Sequence, residues 1–196
     1  MMSLPQAALS RRGLLLLGCA AAMAGLARAD ANGQPGVQNP RRRAPELSLT
    51  DQQGRQTALR VLLEGKVSVL QLMFTGCSNV CPIQGALFAG LEPSIRSLPA
   101  TQLLSISIDP LGDSPAELRK WLAKFSAGSS WHAAVPADSD LVRLKSWLGG
   151  SESDSFDRHT TQIFLVDSTA SLCWRSTELP SVGEVLTAVR RLHKVG

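Results

Sequence analysis

Hydrophobic and polar positions change period several times along this chain, and each change marks an element. Leu47-Ser48-Leu49-Thr50 alternates with a period of two, as a half-buried strand does. Asp51-Gln52-Gln53-Gly54 reads as a turn and Gln56-Thr57-Ala58-Leu59 as the returning strand, which makes an N-terminal β-hairpin. Gly65-Lys66 then opens a nearly unbroken apolar run, Val67 to Phe74, expected of a strand covered on both faces. After Thr75-Gly76, Ile83, Leu87, Leu91, Ile95 and Leu98 recur every three or four residues. That stripe predicts a helix starting at Pro82, a residue that suits a first turn because its N–H would have no partner there. Pro93 falls inside the stripe and should kink the helix or end it early. Leu104, Ile106 and Ile108 alternate with Ser105 and Ser107, a second strand that completes a βαβ unit.

Asp109-Pro110 stops that strand, and Ser114-Pro115-Ala116-Glu117 has the form of a capping box. Leu118, Trp121, Leu122 and Phe125 supply the buried stripe of the next helix. Trp131-His132 reads as a short connecting segment. A shorter helix fits 138–148, ended by Gly149-Gly150, and a polar loop follows over 151–158. A strand over 162–166, a turn at Asp167-Ser168-Thr169-Ala170, a returning strand over 171–175 and a final helix over 180–193 close the chain. The fold class is α/β: a central mixed sheet flanked by helices, with the hairpin as an N-terminal extension. A cysteine pair between strand and helix points to a thioredoxin-like arrangement.

Before Pro45 the pattern is different. Residues 30–44 hold Gly33, Pro35, Gly36, Pro40 and Arg41-Arg42-Arg43, the composition of a flexible linker, which places the folded domain at 45–196. Residues 1–29 read as a signal peptide. Arg11-Arg12 precede an apolar run from Gly13 to Leu26, and Ala27-Arg28-Ala29 offers small residues for cleavage before Asp30. The paired arginines resemble a twin-arginine export signal. Two other readings are an uncleaved membrane anchor and lipid attachment at Cys19; the apolar run is shorter than the roughly 20 residues of a spanning helix. The expected location is exported, on the periplasmic side.

Charge adds little. The net charge is +4, but three arginines lie in the first 29 residues, which hold no acid. Without them 17 basic residues face 16 acidic ones, and the remaining basic run sits in the linker. A nucleic-acid binder needs a basic stripe on a folded face, so that class is set aside.

The chemistry lies in Cys77-Ser78-Asn79-Val80-Cys81-Pro82. Cys77 falls after a strand and Cys81 at the mouth of a helix, where unpaired N–H groups and the helix dipole should favour thiolate. The two thiols alone make a redox switch. With an imidazole they make a ligand set for a soft metal, above all Cu(I). A plain disulfide staple would close too short a loop to gain much chain entropy. Three histidines are available. His193 reads as a solvated side chain near a basic tail, and His132 as structural. His159 lies between the polar loop and a strand, on the loop expected to face the cysteines. Cys173 reads as a buried, apolar-like strand cysteine.

Three blocks then appear together: Phe74 to Pro82, Ser107-Ile108-Asp109-Pro110-Leu111-Gly112-Asp113-Ser114-Pro115, and His159-Thr160-Thr161. In this order they resemble the Sco/SenC family, over about residues 45–194. The resemblance implies a thioredoxin fold that binds copper, Cu(I) or Cu(II), through Cys77, Cys81 and His159. It implies an exported or membrane-tethered protein that helps assemble the CuA centre of cytochrome c oxidase, so its partner would be an exported or membrane-bound cuproprotein. Asp109 and Asp113 match the family's acidic segment and are read as a strand stop and a helix cap. Two positions depart from the family pattern. Ser78 stands where proline usually follows the first cysteine, and Arg158 where aspartate usually precedes the histidine.

Two functions compete. One is a copper chaperone rather than an enzyme. The other is a thiol–disulfide oxidoreductase using Cys77 and Cys81 as a catalytic pair. The absence of proline beside His159, where thioredoxin-type oxidoreductases place one, favours metal. A peroxidase would need threonine and arginine support that the motif does not match.

Overall fold

The computed structural model describes residues 36–149 and 161–195. The signal-peptide reading of 1–29, Cys19, the polar loop over 151–158 and His159 lie outside the described residues. In chain order the elements are β1 (Gly36–Arg43), β2 (Ser48–Asp51), β3 (Gln56–Ala58), α1 (Leu59–Leu63), β4 (Val67–Met73), α2 (Val80–Arg96), β5 (Thr101–Ser107) and α3 (Pro115–Lys124). There follow β6 (Trp131–Pro136), a 3-10 turn (Asp138–Asp140), α4 (Leu141–Gly149), β7 (Ile163–Val166), β8 (Ser171–Arg175) and α5 (Val182–Val195).

Among the described residues the strands form one sheet in the order β1-β8-β7-β4-β5-β6-β2-β3. β4, β5 and β6 are parallel, joined by α2 and α3; β7, β8, β1 and the β2–β3 hairpin are antiparallel to their neighbours. All seven side chains of β4 are buried, as its unbroken apolar run requires of a strand covered on both sides. Val67, Val69 and Met73 join α2, α3 and α5 in one cluster, whereas Leu70 and Leu72 join α1 and α4 in the other. This is the mixed, helix-flanked sheet with an N-terminal hairpin that the pattern predicts.

The linker reading of 30–44 needs correction. Residues 36–43 form β1, paired with β8 at the edge of the sheet. Pro40 and the polar composition hide it, because proline lacks a ladder donor and is confined to edges and irregular pairings. The register indeed shifts between Val37 and Arg42. The arginine run is structural: Arg41 pairs with Asp167 at 2.7 Å, Arg43 with Glu64 at 3.0 Å, and Arg42 donates to the last carbonyls of α4, Ser146 and Leu148. Cations at a helix C-terminus meet its unpaired carbonyls and the negative end of its dipole.

Two smaller expectations also change. Trp131 to Pro136 is a buried strand, not a connection. Helix α2 runs through Pro93 to Arg96. Proline inside a helix costs about 3 kcal/mol. Burying Phe88, Leu91 and Ile95 beneath α2, each worth about 1.5–3 kcal/mol, outweighs it. Ser114 caps α3 as expected, accepting the Glu117 N–H at 3.3 Å. The helices pack closely here: a Cβ on Gly85 of α2 would lie 2.3 Å from the Phe125 ring.

Candidate metal centre

β4 ends at Met73, and the parallel arrangement brings the end of β5 beside it, with Ile108 N–H donating to the Met73 carbonyl at 2.8 Å. The chain turns at Thr75-Gly76, the Cys77 N–H returns to the Phe74 carbonyl at 3.2 Å, and α2 begins at Val80. This short turn places Cys77 just before the helix and Cys81 in its first turn. Neither cysteine is in a disulfide, and both are buried, at 6% and 1% exposure, while Ser78 and Asn79 between them face solvent. The Cys81 thiol is hydrogen-bonded to Cys77.

Helix position predicts thiolate, and here burial overrides it. The Cys81 thiol is pushed up to about 12, first by desolvation, then by the hydrogen bond to Cys77. A backbone hydrogen bond at Phe74 pulls the other way and loses. A buried anion beside a second sulfur is more costly than the helix terminus can offset. Cys81 is therefore not a preformed thiolate.

Asp113 is not the helix cap expected of it. Its carboxylate accepts the Thr75 N–H at 3.1 Å, the Thr75 hydroxyl at 2.5 Å and the Ser107 hydroxyl at 2.5 Å. It thus ties the cysteine turn to the end of β5. Thr75 and Ser107 carry no sequence signal for this role. The close spacing of Asp109 and Asp113 after a strand was the available clue. Asp109 does stop the strand, and it closes the following turn by accepting the Gly112 N–H at 3.2 Å.

The other candidates sort by place. Cys173 lies in β8 and donates to the Leu165 carbonyl at 3.3 Å; desolvation pushes its thiol up to about 12. It is the buried strand cysteine its pattern predicts. Leu165 pairs with Val69, four residues short of the end of β4. β8 is two strands from β4, about 10 Å across the sheet. His132 alternates with Trp131 and Ala133, which face the cysteine-side cluster, so it belongs to the opposite face with Ala134. His193 is not simply solvated: its Nε2 meets the Thr101 hydroxyl at 2.9 Å, at the start of β5. Among the described residues no third His, Cys, Asp or Glu joins the pair, and His159 lies outside them. No helix of the described residues is long and apolar enough to cross a membrane.

Comparison with known proteins supplies the family. The model of the SCO1/SenC family matches residues 36–194, which includes β1. A protein of Stutzerimonas stutzeri named for copper binding is 33% identical over 178 residues, covering 83% of this chain and 84% of its own. Among solved structures, Arabidopsis thaliana ScoI with copper bound superposes with a TM-score of 0.64 at 17% identity, covering 78% of this chain and 99% of that one. BsSco, a member of the Sco family of cytochrome c oxidase assembly proteins in which a disulfide switch was identified, gives 0.63 at 19% identity, covering 80% and 96%. These likenesses establish the thioredoxin-like fold.

Proposed function

Because the chain belongs to the SCO1/SenC family, we propose that it is an exported copper chaperone that carries copper to a cuproprotein partner, the CuA-bearing subunit of cytochrome c oxidase. The observation that carries this reading is the pair of buried, neighbouring thiols at a helix mouth, not joined in a disulfide. Copper is the cargo. Cys77 and Cys81 would hold it through sulfur, and His159 would supply the nitrogen. Cu(I) suits two soft donors and an imidazole, and the neutral imidazole adds no further negative charge. His159 is favoured by placement, since His132 faces the other side of the sheet and His193 is held at its far end.

The residues present fit such a cargo. The thiols are adjacent, and their burial keeps water from competing. At neutral pH the Cys81 proton must leave as metal enters, so loading and proton release are coupled. The oxidoreductase alternative is disfavoured by the absence of a proline beside His159, where thioredoxin-type oxidoreductases place one. Export is supported by the reading of residues 1–29, which also leaves room for a membrane tether.

Anaerobic titration of the reduced protein with Cu(I) against a competing chelator tests the reading. One copper per chain is expected. Cys77→Ser or Cys81→Ser should abolish chelator-resistant binding. Dithiol turnover that persists in His159→Ala, in a protein that retains no copper, would replace this reading with the oxidoreductase.

A further inference from the structure

Asp113 is buried, and among the described residues its hydrogen-bond partners are neutral donors: the Thr75 N–H, the Thr75 hydroxyl and the Ser107 hydroxyl. A buried carboxylate is costly unless such bonds are made, and bonds to an ionised acceptor are stronger than neutral ones. The carboxylate is itself fixed. Asp113 N–H donates to the Asp109 carbonyl at 2.9 Å, and Asp109 N–H to the Ser107 hydroxyl at 3.0 Å. Gly112 permits this close turn, since a Cβ there would lie 2.5 Å from Asp109 Oδ2. The residue so held, Thr75, stands between Phe74, whose carbonyl receives the Cys77 N–H, and Gly76-Cys77.

We propose that Asp113 is a positioning residue that holds the Thr75–Cys77 turn in the shape from which both sulfurs can share one ion. The proposal rests on the copper reading for its purpose, but its geometry stands in the metal-free protein. Releasing the turn would leave Thr75 free to pivot, so metal would have to order it on binding, and Cys77 would lose part of its cover. Supporting groups of this kind are typically worth about 10- to 100-fold in metal affinity.

The test compares Asp113→Ala, Asp113→Asn and Asp140→Ala with the wild type. Asp140 is a matched control, a buried aspartate that accepts the Ser48 N–H at 3.0 Å and pairs with Arg143, next to β2. Asparagine can still accept from the Thr75 N–H and donate to a hydroxyl oxygen, so it should restore most of the turn. The first readout is iodoacetamide modification of Cys77 and Cys81 in metal-free protein, followed by mass spectrometry. The second is Cu(I) affinity by chelator competition. Asp113→Ala should speed Cys77 modification at least about threefold as the turn opens locally. It should weaken copper binding at least about tenfold. Asp113→Asn should recover most of both, and Asp140→Ala should change neither. Asp113→Ala within twofold of wild type in both readouts, or Asp140→Ala matching it, would overturn the proposal. If the wild type takes up no copper, the copper reading fails, while the modification rates still decide the role of Asp113.

Discussion

The two ends of the central parallel strands hold different chemistry. At the carboxyl ends of β4 and β5 lie both neighbouring thiols and the Asp113 clamp; toward the amino ends of β5 and β6 lie His132, Lys66 and the His193–Thr101 contact. β5 alone separates Thr101 from Ser107 by about 20 Å. Both ends gather polar side chains, yet only one places two soft donors side by side. Burial alone does not mark the site. Cys81 and Cys173 are both pushed up to about 12, and they differ in partner: a second thiol for Cys81, a strand carbonyl for Cys173.

The sharpest way to break this contrast is to exchange the roles of the histidines. His159→Ala should weaken Cu(I) binding by at least about tenfold, as loss of a ligand or its support does. His132→Ala and His193→Ala should leave it within about twofold in the same chelator competition. A large loss from either of these would place the metal at the wrong end of the sheet. Next in size is the response of the thiols to pH. With Cys81 near 12, its modification by iodoacetamide should rise about tenfold per pH unit between pH 7 and 9, since the thiolate fraction does so well below the pKa. A plateau in that range would show a preformed thiolate. Cys173→Ala should lower thermal stability modestly, by about 1 kcal/mol, and leave copper uptake unchanged.

The smallest effect belongs to His132. Desolvation, then Lys66 and Arg55, lower its pKa, opposed by Asp51 and Glu92. The unfolded chain then binds more protons below pH 6.5, so stability should rise as the pH climbs toward 6.5. Thermal melts of His132→Gln across that window should show a flatter dependence than the wild type.

Several features were legible because they rest on local rules. The apolar run of β4, the stripe of α2, the Ser114 cap and the turn between β7 and β8 each follow from periodicity or cap chemistry within a few residues. The cysteine spacing was legible in the same way. β1 was hidden because its partner, β8, lies more than 120 residues away and its own sequence breaks strand rules at Pro40. Ser105 and Ser107 look like the solvent side of an alternating strand. Both are buried: Ser105 accepts the Gln71 amide and the Trp131 indole, and Ser107 serves Asp113. A period of two says which residues share a face, not whether water covers it.

Sequence alone determined the layered α/β architecture, the three-block family resemblance and the close spacing of Cys77 and Cys81, because these depend on residue type at short spacing. Tertiary structure decided the protonation of Cys81, the seating of the arginine run and the carboxylate behind the cysteine turn. Each of those depends on desolvation or on a partner distant in the chain, and neither is written in the neighbouring residues.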